Sequence, residues 1–170
     1  NTSTALSFLK IVTSRYDVVT SNPPYTDSAA YSGTELGIFI ENNYKKPYNC
    51  TTNLYACFIK RNINYAINEG FVAMIHPHTF MNIDTFKDIR KLILTQGDLH
   101  ILVDFGLDRV NLFGPGILLD AVWQIIKVSS NKEKGNVFYF NITENQQEKY
   151  KKQSFEKCIE DVLDNKENYR

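Results

Sequence analysis

The sequence has no surplus of charge, no long apolar run and no leader-like start, and each of these absences excludes a class of protein. Nineteen Lys and Arg balance nineteen Asp and Glu among 170 residues, so this segment alone lacks the charge for strong nonspecific attraction to nucleic acid. The most apolar stretch, 116–128, is interrupted by Asp120, Gln124 and Lys127 and is shorter than the ~20 residues of a membrane helix. Asn1–Ser7 has neither the basic start nor the apolar run of a signal peptide.

Cysteine is also scarce. Cys50, Cys57 and Cys158 are an odd number, and the first two, seven positions apart, have no second pair that would complete a zinc site. We interpret the three as free thiols of a cytoplasmic protein.

The apolar content predicts a packed domain. Hydrophobic residues make up 43% of the chain and aromatic residues 13%, which excludes intrinsic disorder. A chain of this length can bury roughly two-thirds of its unfolded surface in one compact domain.

Short apolar runs alternate with helical patterns along the chain, which is typical of a parallel α/β sheet. We expect helices at 3–14 and 34–43, a long helix capped by Thr51 or Thr52 and ended by Gly70, and another capped by Asp84 and ended by Gly97. We expect strands at 16–21, 71–75, 99–105, 118–128 and 137–142, of which the first two are buried.

The strand at 118–128 follows the one at 99–105 with no helix between them, so the sheet is predicted to be mostly parallel with an antiparallel last strand. Residues 1–130 are assigned to the domain itself. Residues 131–170 are assigned to one more strand and a charged helical extension or linker.

The most informative segment is Asn22-Pro23-Pro24-Tyr25, directly after the first predicted strand. Ligands of open α/β sheets bind at the carboxyl ends of strands, so the tetrapeptide lies where a site is expected. Asn-Pro also begins ordinary turns, and a purely structural turn is the alternative.

The residues around this tetrapeptide resemble a known family. Tyr16-Asp-Val-Val-Thr-Ser-Asn-Pro-Pro-Tyr25 is similar to the catalytic motif of amino-group methyltransferases that use S-adenosylmethionine. The segments NLYACFIKR (53–61), EGFVAMIHP (69–77), TFM (79–81) and FKDIRKL (86–92) follow in the order of that family. The closest resemblance, over residues 5–128, is to adenine-specific DNA methyltransferases of BREX phage-resistance systems and to related fused restriction–modification methylases.

The resemblance implies a fold and a set of roles. The fold is the C-terminal half of a Rossmann-like methyltransferase sheet. Asn22 and Pro23 accept the N6 hydrogens of a flipped adenine and meet the methionine end of the cofactor, and Tyr25 stacks on the base. Phe113 matches a further aromatic residue against that base. The DNA is double-stranded and is bound by the full-length enzyme.

The resemblance also implies that much is missing. The cofactor signature of the family, a glycine-rich turn and an acidic residue, should precede the motif, yet only 21 residues precede Asn22 and none is glycine. We therefore expect an excised, inactive piece of a larger enzyme. The Tyr16–Ser21 strand would then be an open sheet edge that pairs with a second copy or is covered by the N-terminal segment.

The histidines and carboxylates predict no second chemistry. His76 and His78 have no cysteine or carboxylate at a metal-ligand spacing, so we expect no metal and place both at the surface near DNA. Asp104, Asp108 and Asp120 are expected in loops or at strand ends, without the paired carboxylates of a hydrolase.

Three readings of the function remain at this point. The first is adenine-N6 methylation of DNA. The second is a glutamine-N5 methyltransferase of protein or a guanine methyltransferase of RNA, which share the tetrapeptide. The third is a non-catalytic interaction module, against which the intact tetrapeptide argues.

Overall fold

The computed structural model describes residues 2–108, 119–129, 135–143, 152–157 and 159–160. Its helices are α1 (Thr2–Thr13), α2 (Glu35–Tyr44), α3 (Leu54–Tyr65) and α4 (Lys87–Gln96). Its strands are β1 (Tyr16–Ser21), β2 (Ala66–Pro77), β3 (Gly97–Asp108), β4 (Leu119–Val128) and β5 (Phe138–Asn141). Single 3₁₀ turns lie at Ser28–Ala30, His78–Met81 and Asp84–Phe86. No described helix is long and apolar enough to cross a membrane.

The five strands form one mixed sheet in the order β1-β2-β4-β3-β5. β1 runs parallel to β2, and β5 runs parallel to β3. β4 is antiparallel to both of its neighbours, β2 and β3. The predicted mostly parallel sheet with an antiparallel strand is confirmed, and the antiparallel strand lies inside the sheet.

The core lies between the sheet and the helices α3 and α4. Alternate residues of β2 and β4 face these helices, because side chains alternate between the two faces of a strand. The residues of this core that are most buried include Val72, Met74, Val122, Ile126, Ile59, Ile63, Ile89 and Leu92. The packing fixes α3 against the sheet beside the carboxyl end of β1.

The predicted boundaries of α3 are wrong at both ends. Asn53, not Thr51 or Thr52, caps the helix by accepting from the Tyr55 N–H. The helix ends at Tyr65, because the following residues already pair with β1. Gly70 lies inside β2, where a Cβ atom would come within 2.9 Å of the Asp17 carbonyl oxygen. The glycine permits the close approach of two strands and ends no helix.

The predicted start of α4 is also wrong. Asp84 lies in a 3₁₀ turn and makes no capping hydrogen bond, and α4 begins at Lys87. Gly97 ends the helix as expected, but its backbone is extended and it is the first residue of β3. A Cβ atom on Gly97 would collide with the Ile126 side chain, so close packing on β4 requires the glycine.

β1 is not the buried strand that its apolar sequence predicts. Its burial is low along most of its length, and the Val18 side chain is 58% exposed. The reason is topological, since β1 is an edge of the described sheet and pairs with β2 alone. α1 leaves this strand exposed. Four apolar side chains of α1 are themselves more than half exposed: Leu6, Phe8, Leu9 and Ile11.

The charged C-terminal segment is helical at 152–157 and 159–160. Its Phe155 packs edge-on against Trp123 and Phe140, with ring centroids 5.9 and 6.1 Å apart. These contacts lie beside a second apolar cluster formed by Val103, Phe105, Phe140 and Ile142. The segment therefore covers part of one sheet face, and the domain boundary at residue 130 stays a prediction.

Candidate active site

The tetrapeptide Asn22–Tyr25 lies at the edge of the sheet where β1 and β2 end. Ser21, the last residue of β1, pairs with Met74 of β2, so the turn emerges beside the last residues of β2. Pro23 is buried, Tyr25 is half-buried, and Asn22 and Pro24 are exposed. The proline pair restricts φ and limits the freedom of the turn, which leaves the Asn22 amide at the surface.

Tyr25 and Asn22 are joined by a side-chain hydrogen bond. The Tyr25 hydroxyl donates to Asn22 Oδ1 at 2.5 Å and lies 3.2 Å from the carbonyl oxygen of Ile75. The Tyr25 ring packs against the main core, and this burial raises the pKa of Tyr25 to about 12. The hydroxyl is therefore a donor at neutral pH, and it orients the amide oxygen of Asn22.

An open cleft of about 530 Å³ lies next to this pair. Its lining residues come from the ends of β1 and β2 and from the facing part of β4: Thr20, Ser21, Asn22, Ala73, Met74, Ile75, Trp123, Gln124 and Ile125. None of them carries a charge. The cleft can take an apolar or neutral group beside the Asn22 amide, and it supplies no counter-charge for an ammonium or carboxylate.

His76 does not lie at the surface, and the prediction for it is wrong. Its side chain is completely buried, stacked on Tyr55 at 5.0 Å and edge-on to Phe80 at 4.9 Å. Burial lowers the pKa of His76 to about 4, so the imidazole is neutral at pH 7. Its Nδ1 bonds the Pro77 carbonyl oxygen at 3.0 Å, which makes it a core residue.

His78 forms a cluster with two carboxylates that the sequence analysis missed. Its Nε2 lies 3.2 Å from Asp120 Oδ2, and its Nδ1 lies 3.6 Å from Asp104 Oδ1. Asp104 is buried inside β3 and not at a strand end as expected, whereas Asp108 and Asp120 do lie at strand ends. Asp104 and Asp120 are 26 and 42 positions from His78 in the sequence, and only the placement of β4 between β2 and β3 brings the three residues together.

The remaining candidates are the cysteines and Phe113. Cys50 and Cys57 are buried free thiols, as predicted, and burial raises their pKa values to about 12 and 11. Within the described ranges no group of three or more His, Cys, Asp or Glu residues is arranged to hold a metal ion. Phe113 and Cys158 lie outside the described residues, so the base-stacking role of Phe113 stays a prediction.

A family model extends across most of this architecture. Residues 2–113 match the Eco57I restriction-modification methylase model, a range that includes the tetrapeptide, α3 and α4. This chain belongs to that family. The predicted resemblance to restriction–modification methylases is thereby confirmed, and the resemblance to BREX enzymes in particular stays a prediction.

Individual relatives agree with the family. The Type II methyltransferase M.AccI of Acinetobacter calcoaceticus is 32% identical over 93 residues, which cover 54% of this chain and 17% of that protein. The chain thus spans about a sixth of the length of this relative.

Two solved structures report on the fold. The ATP-dependent Type ISP restriction-modification enzyme LlaBIII, bound to DNA, superimposes with a TM-score of 0.69 at 15% identity, over 91% of this chain and 12% of that one. A Listeria monocytogenes protein assigned as a class I S-adenosylmethionine-dependent methyltransferase superimposes with a TM-score of 0.51 at 18% identity. The match covers 76% of this chain and 38% of that one. The fold is that of class I S-adenosylmethionine-dependent methyltransferases.

Proposed function

We propose that this chain is the catalytic part of a longer restriction–modification methyltransferase that methylates the N6 amino group of adenine in double-stranded DNA. The observation that carries the proposal is the Asn22–Tyr25 pair, an oriented amide oxygen next to an aromatic ring at the carboxyl edge of the sheet. In a restriction–modification system, such methylation would protect host DNA while foreign DNA, including that of phages, is cleaved. The protein would work in the cytoplasm.

The chemistry requires acceptors rather than a strong base. The N6 lone pair of adenine is delocalised into the ring, and transfer requires that it point at the sulfonium methyl group. Asn22 Oδ1 and the Pro23 carbonyl oxygen can each accept a hydrogen bond from one N6–H group. These two hydrogen bonds localise the lone pair on N6. Both acceptors are held before the substrate arrives, since Pro23 is buried and the amide is oriented by Tyr25.

Tyr25 is proposed to hold the flipped base through its ring. Chemistry on a base requires the base to leave the duplex, and an aromatic side chain can replace the lost stacking. An amide oxygen has two lone pairs, so Asn22 Oδ1 can keep the Tyr25 hydrogen bond and still accept from the substrate. The Phe113 position is proposed as a second aromatic contact to the same base.

The co-substrate S-adenosylmethionine fits this site at its reacting end only. It would supply the electrophilic methyl group, next to Asn22 and Pro23. The adjoining cleft has no charged side chain, so its lining offers the amino and carboxyl groups of the methionine moiety neutral hydrogen-bonding groups only and no counter-charge. We infer that residues of the longer protein bind the rest of the molecule and that the isolated chain is inactive.

A labelling experiment tests the proposal. The full-length protein that carries this chain is incubated with S-adenosylmethionine labelled in its methyl group and with DNA, RNA or protein, and the modified nucleosides or residues are identified by mass spectrometry. We expect N6-methyladenine in DNA, and its loss in Asn22→Ala but not in Asn64→Ala, a matched change of an exposed asparagine. Label in glutamine of protein or guanine of RNA, without label in DNA, would contradict the proposal.

A further inference from the structure

The chain that enters the Asn22–Tyr25 turn is attached to α3. Asn62, which is 5% exposed, donates through Nδ2 to the Ser21 hydroxyl oxygen at 2.7 Å. Ser21 is the last residue of β1 and directly precedes Asn22. The hydrogen bond therefore restrains the strand end from which the turn begins.

The chain that leaves the turn is attached to the same helix. Asn53, also 5% exposed, donates through Nδ2 to Asp27 Oδ1 at 2.6 Å while its own Oδ1 caps α3. The Leu54 N–H donates to the Thr26 carbonyl oxygen at 2.9 Å. Both residues that follow the turn are thereby bonded to the first residues of α3.

The packing of α3 does not require an amide at position 62. Asn62 lies on the buried face of the helix together with Ile59 and Ile63, which are 0% and 4% exposed. A buried amide is unfavourable unless it is hydrogen-bonded, and an apolar side chain would satisfy a purely packing role at no such cost. The Asn62 side chain thus serves the contact with Ser21.

One rigid element holds both attachments. Asn53 and Asn62 are nine positions apart, which is about 13 Å along an α-helix. Between them, Tyr55, Ala56 and Ile59 pack in the main core and fix the helix there. The two ends of the Ser21–Asp27 segment are therefore held at a set separation and direction. A turn that is attached at one end only could still change its orientation relative to the sheet.

We propose that α3 positions the Asn22–Tyr25 turn for methyl transfer through Asn62 at its entry and Asn53 at its exit, which makes these two asparagines positioning residues. The catalytic consequence rests on the proposed function, whereas the restraint on the turn does not. A displacement of about 1 Å at a reacting group can lower a rate ~10²-fold. Loosening the turn should therefore slow the transfer step and leave substrate affinity nearly unchanged.

The test uses variants that remove one hydrogen bond each in the full-length protein. Ser21→Ala and Asn62→Ala remove the Asn62–Ser21 bond at the entry. Asp27→Ala removes the Asn53–Asp27 side-chain bond at the exit, while the Asn53 cap on α3 and the backbone bond from Leu54 to Thr26 remain. Ser21→Thr and Asp27→Asn keep an oxygen at the acceptor position and are the rescuing changes. Asn64→Ala, on the exposed side of α3, is the control.

Five quantities are measured for each variant: the single-turnover rate of methyl transfer, the affinity for DNA, the affinity for the co-substrate, the melting temperature, and the hydrogen exchange of the peptide that covers residues 22–28. We expect each alanine variant at positions 21, 62 and 27 to lower the rate about tenfold or more. The exchange of the peptide should accelerate, and the affinities should stay within about twofold. The Ser21→Ala/Asn62→Ala double variant should be no slower than either single variant, because both remove the same bond.

Two results would overturn the positioning role. One is an unchanged exchange rate of the 22–28 peptide in the alanine variants. The other is a lowered melting temperature with an unchanged transfer rate per folded molecule, which would make the asparagines structural only. If the unmodified protein methylates no DNA, the proposed function fails, and the exchange measurement still decides whether α3 restrains the turn.

Discussion

The phenol of Tyr25 and the amide of Asn22 are linked across the turn, with the hydroxyl oxygen 2.5 Å from Asn22 Oδ1. Because burial raises the pKa of Tyr25 to about 12, the tyrosine donates this hydrogen bond throughout the physiological pH range. The bond places the amide oxygen and the aromatic ring in one unit. In the proposed mechanism, the ring would hold the base while the oxygen orients its amino group.

The first prediction separates the ring of Tyr25 from its hydroxyl. Tyr25→Ala should lower the transfer rate roughly 10- to 100-fold, because base stacking is worth about 1–3 kcal/mol. Tyr25→Phe and Tyr25→Trp keep a flat ring and should cost about fivefold or less, the value of one hydrogen bond of ~1 kcal/mol. Single-turnover kinetics on duplex DNA and on DNA with a mismatched target measure both effects.

The mismatched target is the internal control for this prediction. A mismatched base leaves the duplex more readily, so it should recover part of the loss in Tyr25→Ala. Equal losses in the Phe and Ala variants would assign the essential role to the hydroxyl and its bond to Asn22.

The second prediction concerns the amide oxygen. Asn22→Ala removes one acceptor for the N6 hydrogens and should lower the rate on the order of 10²–10³. The affinity for DNA should be nearly unchanged, because the exposed amide is proposed to contact the target base and no phosphate. Single-turnover rates and a binding titration, with Asn64→Ala as the control, check both halves. Retention of more than about a tenth of the activity would contradict the role of Asn22.

The third prediction follows from the burial of His76. Its pKa is lowered to about 4 in the folded chain, so between that value and its ordinary value of about 6.5 the unfolded state binds more protons. Stability contributed by the neutral imidazole is therefore present above pH ~6.5 and is lost as the pH falls toward 4, by on the order of 1–3 kcal/mol.

A substitution isolates this contribution. His76→Phe, which can keep the ring contacts with Tyr55 and Phe80, should flatten the fall in the free energy of unfolding between pH 6.5 and 4.5. Asn64→Ala, which changes an exposed residue that does not titrate, should leave that slope in place. Urea unfolding at four pH values measures the free energy of unfolding of each variant. An unchanged pH slope in His76→Phe would show that another group causes the loss of stability at acidic pH.

The periodicity of apolar residues was enough to predict the kind and order of the elements. α2, α4 and the strands β2 to β5 overlap the segments that apolar spacing and turn residues indicate, although α4 begins at Lys87 and β2 begins at Ala66, before the predicted residue 71. Gly70 follows a helical pattern, where a glycine is typical of a helix end, yet it lies inside β2. Glycine also allows two backbones to approach closely, as Gly70 does at Asp17. Only the pairing of β1 with β2 shows that Gly70 has this second role and does not end a helix.

Only some features of the candidate site can be predicted from the sequence. The Asn22–Tyr25 turn is predictable from the sequence, because its residue types and its place after a strand are both local features. The burial of His76 depends on the packing of Tyr55 and Phe80 on its ring, and the meeting of His78 with Asp104 depends on the interior position of β4. No spacing along the chain reveals either. The same holds for Asn62, whose contact with Ser21 joins residues 41 positions apart.

The last prediction concerns the isolated 170-residue chain, which we expect to self-associate and not to bind S-adenosylmethionine tightly. β1 presents an open edge in the described sheet, and its Val18 side chain is 58% exposed. An edge with unpaired N–H and C=O groups recruits another strand unless charge or proline blocks it. Val18→Lys should therefore shift the chain toward monomer, whereas Val137→Lys, which changes a half-exposed valine outside the strands, should not.

Sedimentation velocity over a concentration series measures the association, and calorimetry with S-adenosylmethionine measures the affinity. The cleft beside Asn22 has no charged lining residue, so the amino and carboxyl groups of the co-substrate would lack a counter-charge and binding should be weaker than micromolar. Micromolar affinity would show that the described residues form more of the co-substrate pocket than their lining indicates. A chain that stays monomeric at all concentrations would show instead that the β1 edge is protected. Sedimentation therefore tests the predicted self-association, and calorimetry independently tests the predicted weak binding of S-adenosylmethionine.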